Sequence, residues 1–231
     1  MEARSMKSGV ARAVVVLLGA VLAGGVSTVG AQAPAGDCRV IDDFSKAAVG
    51  EFPSDWKVRK DAGKEVYVVK EEDGKRFLHA YAKNLGIQAA KEYEWDLKAY
   101  PVLAWSWRPV EFPRGADEKD GKNDSALAVY MLVPYSRIRG PKAVKYIWSE
   151  KVPVGTRLES NGGLTQVRVL DSGTDRRGQW VEHRVNVRDD YLKYFDEKDV
   201  PKAAGIAVLT DSDDTKSSAQ GDYANFRVCK E

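Results

Sequence analysis

Sulfur and imidazole are scarce in this chain of 231 residues, which has two cysteines, three methionines and two histidines. Two histidines, His79 and His183, leave little for a histidine-ligated zinc site or a histidine-based catalytic dyad. The patterns H-E-x-x-H, H-x-x-E-H, G-x-S-x-G and the phosphate-binding glycine loop are all missing. With them go the sequence signatures of the zinc peptidases, the α/β-hydrolases and the P-loop nucleotidases. An excess of charge is also lacking, with 36 basic residues against 34 acidic ones. No electrostatic footprint for nucleic acid or an anionic membrane results. Beyond the first thirty residues no apolar run is long enough to cross a bilayer, so no membrane span is expected after that point.

Those first residues read as an export signal. Arg4, Lys7 and Arg12 form a basic start, Ala13 to Val29 is uncharged and apolar, and Ala31-Gln32-Ala33 has the small-x-small pattern that signal peptidase accepts. The apolar run is short for a spanning helix and is interrupted by Gly19, Gly24 and Gly25. Residues 1–33 are therefore expected to be a cleaved signal peptide. Residues 34–231 then form one domain, exported to the periplasm or the extracellular space. Cleavage removes three basic residues and one acid, which leaves the two signs equal in number. Cys38 and Cys229 lie near the two ends of the mature chain and are expected to pair in that oxidising compartment. Cys38 is not a lipoprotein cysteine, because Asp37 precedes it and the apolar run ends well upstream.

Period-two alternation dominates the mature chain, with frequent turn residues between the runs. Strands are predicted at 38–41, 65–70, 76–82, 87–93, 102–110, 126–134, 144–148, 165–170, 180–187, 204–210 and 223–229. Asp73-Gly74 between two alternating runs predicts a tight hairpin, since both residues tolerate positive φ. One helical turn is predicted over 189–195. The pattern is that of an all-β, antiparallel two-sheet sandwich of jelly-roll or lectin-like type. Two polar loops, 109–125 and 210–219, are natural places for function on such a scaffold.

Within Val102 to Arg108, Leu103, Trp105 and Trp107 share one side and read as core, while Ser106 and Arg108 face the other way. Tyr130 stands opposite Met131 in the same manner. The polar side of 180–187 carries Trp180, Glu182, Arg184 and Asn186. If 102–110 pairs with 126–134, Arg108, Tyr130 and Arg184 share one shallow polar face suited to a planar or polyhydroxyl ligand. Arg108, Tyr130, Trp148 and Arg184 are accordingly the candidate ligand contacts, against the bland reading of an ordinary solvated face. His183, among Val181, Val185 and Val187, and His79, between Phe77 and Tyr81, read as satisfied structural histidines. Asp211, Asp213 and Asp214 are candidate ligands for calcium, with Asp117, Glu118, Asp120 and Asp124 able to add to them; turn chemistry is the alternative. No cofactor is required by any motif.

In order along the chain, several motifs resemble those of one bacterial secreted family, domain of unknown function 3047. They are Asp42-Asp43-Phe44, Phe52-Pro53 through Trp56, Tyr100-Pro101 with Trp105-Ser106-Trp107-Arg108, and Asp117-Glu118. Further on come Tyr146-Ile147-Trp148-Ser149, Trp180 with Arg184, Asp190-Tyr191 through Phe195, and Thr210-Asp211-Ser212-Asp213. The resemblance implies a β-sandwich and carries no established activity, ligand or catalytic residue. Asp214 stands where the resemblance would place Asn, and Asp196 where it would place glycine. The leading expectation is a non-catalytic module that binds a carbohydrate or envelope glycan. An envelope structural or protein-interaction module and a polysaccharide hydrolase are the alternatives.

Overall fold

A computed structural model of the protein describes residues 37–231. The expected signal peptide, residues 1–33, lies outside them. The strands β1 (Cys38–Asp42) and β2 (Lys57–Val58) precede a single turn of helix, α1 (Gly63–Val66). Then come β3 (Tyr67–Glu72), β4 (Lys75–Lys83), β5 (Ala89–Trp95), β6 (Val102–Glu111), β7 (Leu127–Ser136) and β8 (Gly140–Ser149). The chain continues through β9 (Arg157–Ser160), β10 (Thr165–Ser172), β11 (Val181–Asn186), α2 (Val187–Phe195), β12 (Ala203–Leu209) and β13 (Ser218–Cys229). Among the described residues no helix is long and apolar enough to cross a membrane.

The strands form two sheets. The first has the order β11-β6-β13-β4-β3, with β1 added on β13, and the second the order β2-β5-β12-β7-β8-β10-β9. Every pairing is antiparallel except β8 with β10. That parallel pair is reached by a crossover that adds β9 at the edge, a strand the alternation did not signal. The Asp73-Gly74 hairpin between β3 and β4 forms as expected, with φ of 51° and 72° at its two central residues. The 12-residue β13 runs along β6, while its first half pairs with β4 and its end with β1.

The two inner faces interlock through aromatic rings. Trp105 and Trp107 of β6 are fully buried, and their ring centroids lie 5.6 Å from Tyr146 and 6.1 Å from Trp148 of β8, respectively. Leu78, Tyr223, Met131 and Ile206 fill the layer around them. Alternation along β6 thus gave its core side correctly, because successive side chains must point to opposite faces.

Asn186 caps α2 by accepting a hydrogen bond from the Asp189 amide at 3.0 Å, a standard use of a short polar side chain. The helix ends on Asp196 in the left-handed conformation, φ 52° and ψ 41°. This is the position where the family resemblance would place glycine, and the C-cap geometry explains that preference.

Candidate functional site

The structure separates the four expected ligand contacts. Strand β6 does not pair with β7: its edges are taken by β11 and β13, and β7 lies in the other sheet between β12 and β8. Arg108 and Arg184 share the outer face of the first sheet, while Tyr130 lies on the outer face of the second. Trp148 is no surface aromatic. Its ring is fully buried in the core, and its indole N–H donates to the Gly173 carbonyl at 2.9 Å. Tyr130 is itself nearly buried, packed with Ala128, Ala143 and Ala207. Tyr130→Ala is therefore expected to lower stability by about 2–3 kcal/mol, measured by urea unfolding, rather than to leave the fold unchanged.

On the outer face of the first sheet, register brings Ser106 of β6 between Glu182 of β11 and Ala224 of β13. Both Ser106 and Ala224 are small, so a groove of about 390 Å³ opens over them. Trp180 and Phe77 wall it. Their rings meet edge to face with centroids 5.5 Å apart, and Trp180 remains 39% exposed. The Arg108 guanidinium lies 4.7 Å from the Trp180 centroid and 5.2 Å from that of Phe77. Cation–π attraction of this kind holds an indole in place without covering it fully.

Arg108 is oriented from behind. Its Nε donates to Asp222 and its Nη1 to Glu72, each at 2.7 Å. Asp222 is buried, and its other carboxylate oxygen lies 2.6 Å from His79 Nδ1. Gln220 Nε2 approaches His79 Nε2 at 3.0 Å, so the amide donates to Nε2 and Nδ1–H donates to Asp222. His79 is thus a satisfied structural histidine, as expected. Across the groove Arg227 donates to Glu182 at 2.7 Å. Asn225, at φ 56° within the register shift between Ala224 and Arg227, also lines the groove. Arg184 stands one pleat further along β11 and turns to the disulfide instead, its Nη1 3.4 Å from Cys229 Sγ.

The outer face of the second sheet carries a different set. Tyr130 and Lys145 are cross-strand partners, and the Lys145 ammonium lies 5.5 Å from the Tyr130 centroid. Lys145 is buried. Burial works against its charge, and Tyr130, Asp211 and Glu118 outweigh it, holding its pKa above the ordinary lysine value. Burial raises Glu118, which accepts from Ser149 Oγ at 2.7 Å. Asp211 is pushed up to about 7, by burial first and then by Asp213 and Asp124, with Lys145 opposing. A cleft of about 430 Å³ lies beside this cluster, lined by Arg59, Gln88, Tyr130 and Asn161. Lys145 had a legible signal, since it alternates with Tyr146; nothing local announced that Asp211 and Glu118 would converge on it.

The acidic loop is also rearranged relative to expectation. Carboxylate oxygens of Asp124, Asp213 and Asp214 lie within 4.8 Å of one another, and Asp211 is not in that trio. Asp211 sits deeper because the bridge between Gly86 and residue 211 ties its backbone into the scaffold.

A family model described as protein of unknown function (DUF3047) matches residues 54–227. Among curated proteins no sequence match is found. In outline the fold is similar to the family 11 carbohydrate-binding module of the cellulosomal cellulase Lic26A-Cel5E of Clostridium thermocellum. The identity is 10%, the alignment covers 85% of this chain and 96% of that one, and the TM-score is 0.44. It is also similar to endoglucanase 3 of Trichoderma harzianum, from family GH12, with 11% identity over 85% of this chain and 97% of that one, TM-score 0.39. A thermostable cellulase derived from Cel12A of Rhodothermus marinus shows 13% identity over 75% of this chain and 95% of that one, TM-score 0.38. Similarity at this level is of outline, and the chemistry has to come from this chain's own residues.

Proposed function

Because the chain belongs to the DUF3047 family, whose description assigns no function, we propose from its own geometry that it is an exported, non-catalytic module that binds a carbohydrate or envelope glycan in the groove of the first sheet. The observation that carries this reading is Trp180, an exposed indole held in place by Phe77 and Arg108 above a floor of Ser106 and Ala224. A sugar ring presents a face of C–H bonds to such an indole and hydroxyls to its surroundings. Glu72 and Glu182 are oriented by Arg108 and Arg227 as acceptors at the groove, and Asn225 adds both a donor and an acceptor. A volume near 390 Å³ is in the range of small-ligand sites.

A glycan-array screen of the purified protein, followed by titration of any hit, tests the reading. Trp180→Ala is expected to weaken binding by about 1–3 kcal/mol, roughly 5- to 150-fold, while the melting temperature changes little because the ring is not core. A glycan that binds Trp180→Ala as tightly as the parent protein would place recognition elsewhere, and an array without hits would remove the reading.

A further inference from the structure

The cleft on the outer face of the second sheet, about 430 Å³ in volume, shares no residue with the Trp180 groove of the first sheet. It draws its lining from both edges of its sheet. Arg59 and Lys60 directly follow β2 at one edge, and Ser160 ends β9 at the other. Seven flat strands would hold those edges about 29 Å apart at the usual spacing of neighbouring strands. Because residues from both edges line one cleft, the outer face curves around it. Between the edges the floor is low, made by Leu132 of β7 and Ala143 of β8 beside Tyr130. A depression of this size is in the range of small-ligand sites.

Its charge is of one sign. Arg59 and Lys60 are the charged residues of the lining, and no carboxylate joins them. Both are exposed, and among the described residues neither takes part in an ion pair. Three neighbouring acids are committed elsewhere, Asp55 to Lys91, Asp61 to Lys64 and Glu92 to Lys57. A third cation stands beside Tyr130. Lys145, its cross-strand partner, is 6% exposed and is likewise in no ion pair among the described residues. Asp211 and Glu118 reach it only from beyond ion-pair distance, and Asp211 packs against Gly86 outside the lining. A buried ammonium without a paired acid adds positive potential to the surface next to it, since the interior screens it little.

Gln88, Asn161 and Thr165 complete the walls with groups that both donate and accept. A guanidinium offers a carboxylate two parallel hydrogen bonds, and amides and hydroxyls suit the hydroxyls of a sugar ring. We propose that this cleft is a second binding site, for an acidic sugar of the uronate class, with the carboxylate held by Arg59 and Lys60 and the hydroxyls met by Gln88, Asn161 and Thr165. The site and the Trp180 groove lie on different sheets, and neither depends on the other.

The test is calorimetric titration of the full protein with uronate disaccharides, digalacturonate and dimannuronate among them. Cellobiose serves as a neutral disaccharide and inorganic phosphate as an anion without a ring. The uronates are expected to show a saturable site that weakens as salt is raised, because the cations that hold them are exposed. Arg59→Gln and Lys60→Gln alter exposed side chains and are expected to fold. Each is expected to weaken uronate binding by about tenfold, the loss of one charge-assisted hydrogen bond. Lys193→Gln, which removes an exposed cation on α2, is expected to leave uronate binding unchanged. Absence of saturable binding for every uronate tested would overturn the proposal. So would phosphate binding as tightly as the uronates, since charge alone would then be read, or cellobiose depending on Arg59 as the uronates do, since the acid group would then be idle. A uronate response lost in Trp180→Ala and kept in both glutamine variants would place the acid in the groove of the first sheet and overturn the assignment as well.

Discussion

Replacing Asp171 with alanine is expected to cost about 3–5 kcal/mol of folding stability, the scale on which a broken buried charge pair is felt. Asp171 is 3% exposed and joins the two sheets. From β10 of the second sheet its carboxylate accepts from Trp107 Nε1 at 2.9 Å and lies 2.6 Å from His183 Nε2, both on the first sheet. Arg176 completes the set as its ion-pair partner. Alanine would leave the buried indole N–H of Trp107 without its acceptor and strip the half-exposed Arg176 of its partner, and it is the unsatisfied buried donor which makes the loss large. Burial works to raise the Asp171 pKa, but His183, Trp107 and Arg176 outweigh it and hold it below the ordinary value of 3.8. Depression of a folded-state pKa contributes stability that is complete above the unfolded value and lost as pH falls through the folded one. Urea unfolding of the parent and of Asp171→Asn at pH 7, 4 and 3 is therefore expected to show a gap that narrows below about pH 4. A gap of constant size would mean that the charge of Asp171 is not what stabilises the junction.

The Cys38–Cys229 bond sets the second large effect. The two cysteines are opposed in the pairing of β1 with β13 and are bonded, 191 residues apart in sequence. They pack with Val102 and Ala104 under the Arg184 guanidinium. A crosslink closing a loop of this length restricts the unfolded chain and is worth up to about 5 kcal/mol by chain entropy. Replacing both cysteines by serine is expected to lower stability by that order while the sandwich still forms, because the interlocked tryptophans of β6 and β8 are untouched. Expressed with its leader in a bacterium, the protein is expected to begin near Pro34 and to gain two mass units on reduction. Intact mass with and without reductant, followed by alkylation, reads both quantities. Two alkylatable thiols in the native, air-purified protein would remove the bridge and weaken the case for export.

Local features of this chain were legible because the backbone enforces them residue by residue. Asp73-Gly74 makes its turn because both residues accept positive φ, and Trp105 and Trp107 point to the core because alternation leaves them no other side. The helix after β11 follows from similarly short-range rules, and the pairing of the terminal cysteines was legible because the chain has only two. Sheet membership does not. Whether β7 lies beside β6 or across the sandwich from it depends on which strands claim the edges of β6, and those are β11 and β13, far along the chain. For that reason Tyr130 parted from Arg108 although the face of each within its own strand was read correctly. Asp171 shows the other limit. By strict alternation it would share the outer side with Val169, but a register shift between the two turns it inward to Trp107 and His183. The groove beside Trp180 and the meeting of Asp124 with Asp213 are decided in the same way. Each needs strands or loops distant in sequence to arrive at one place, and only the packing of the two sheets brings them there.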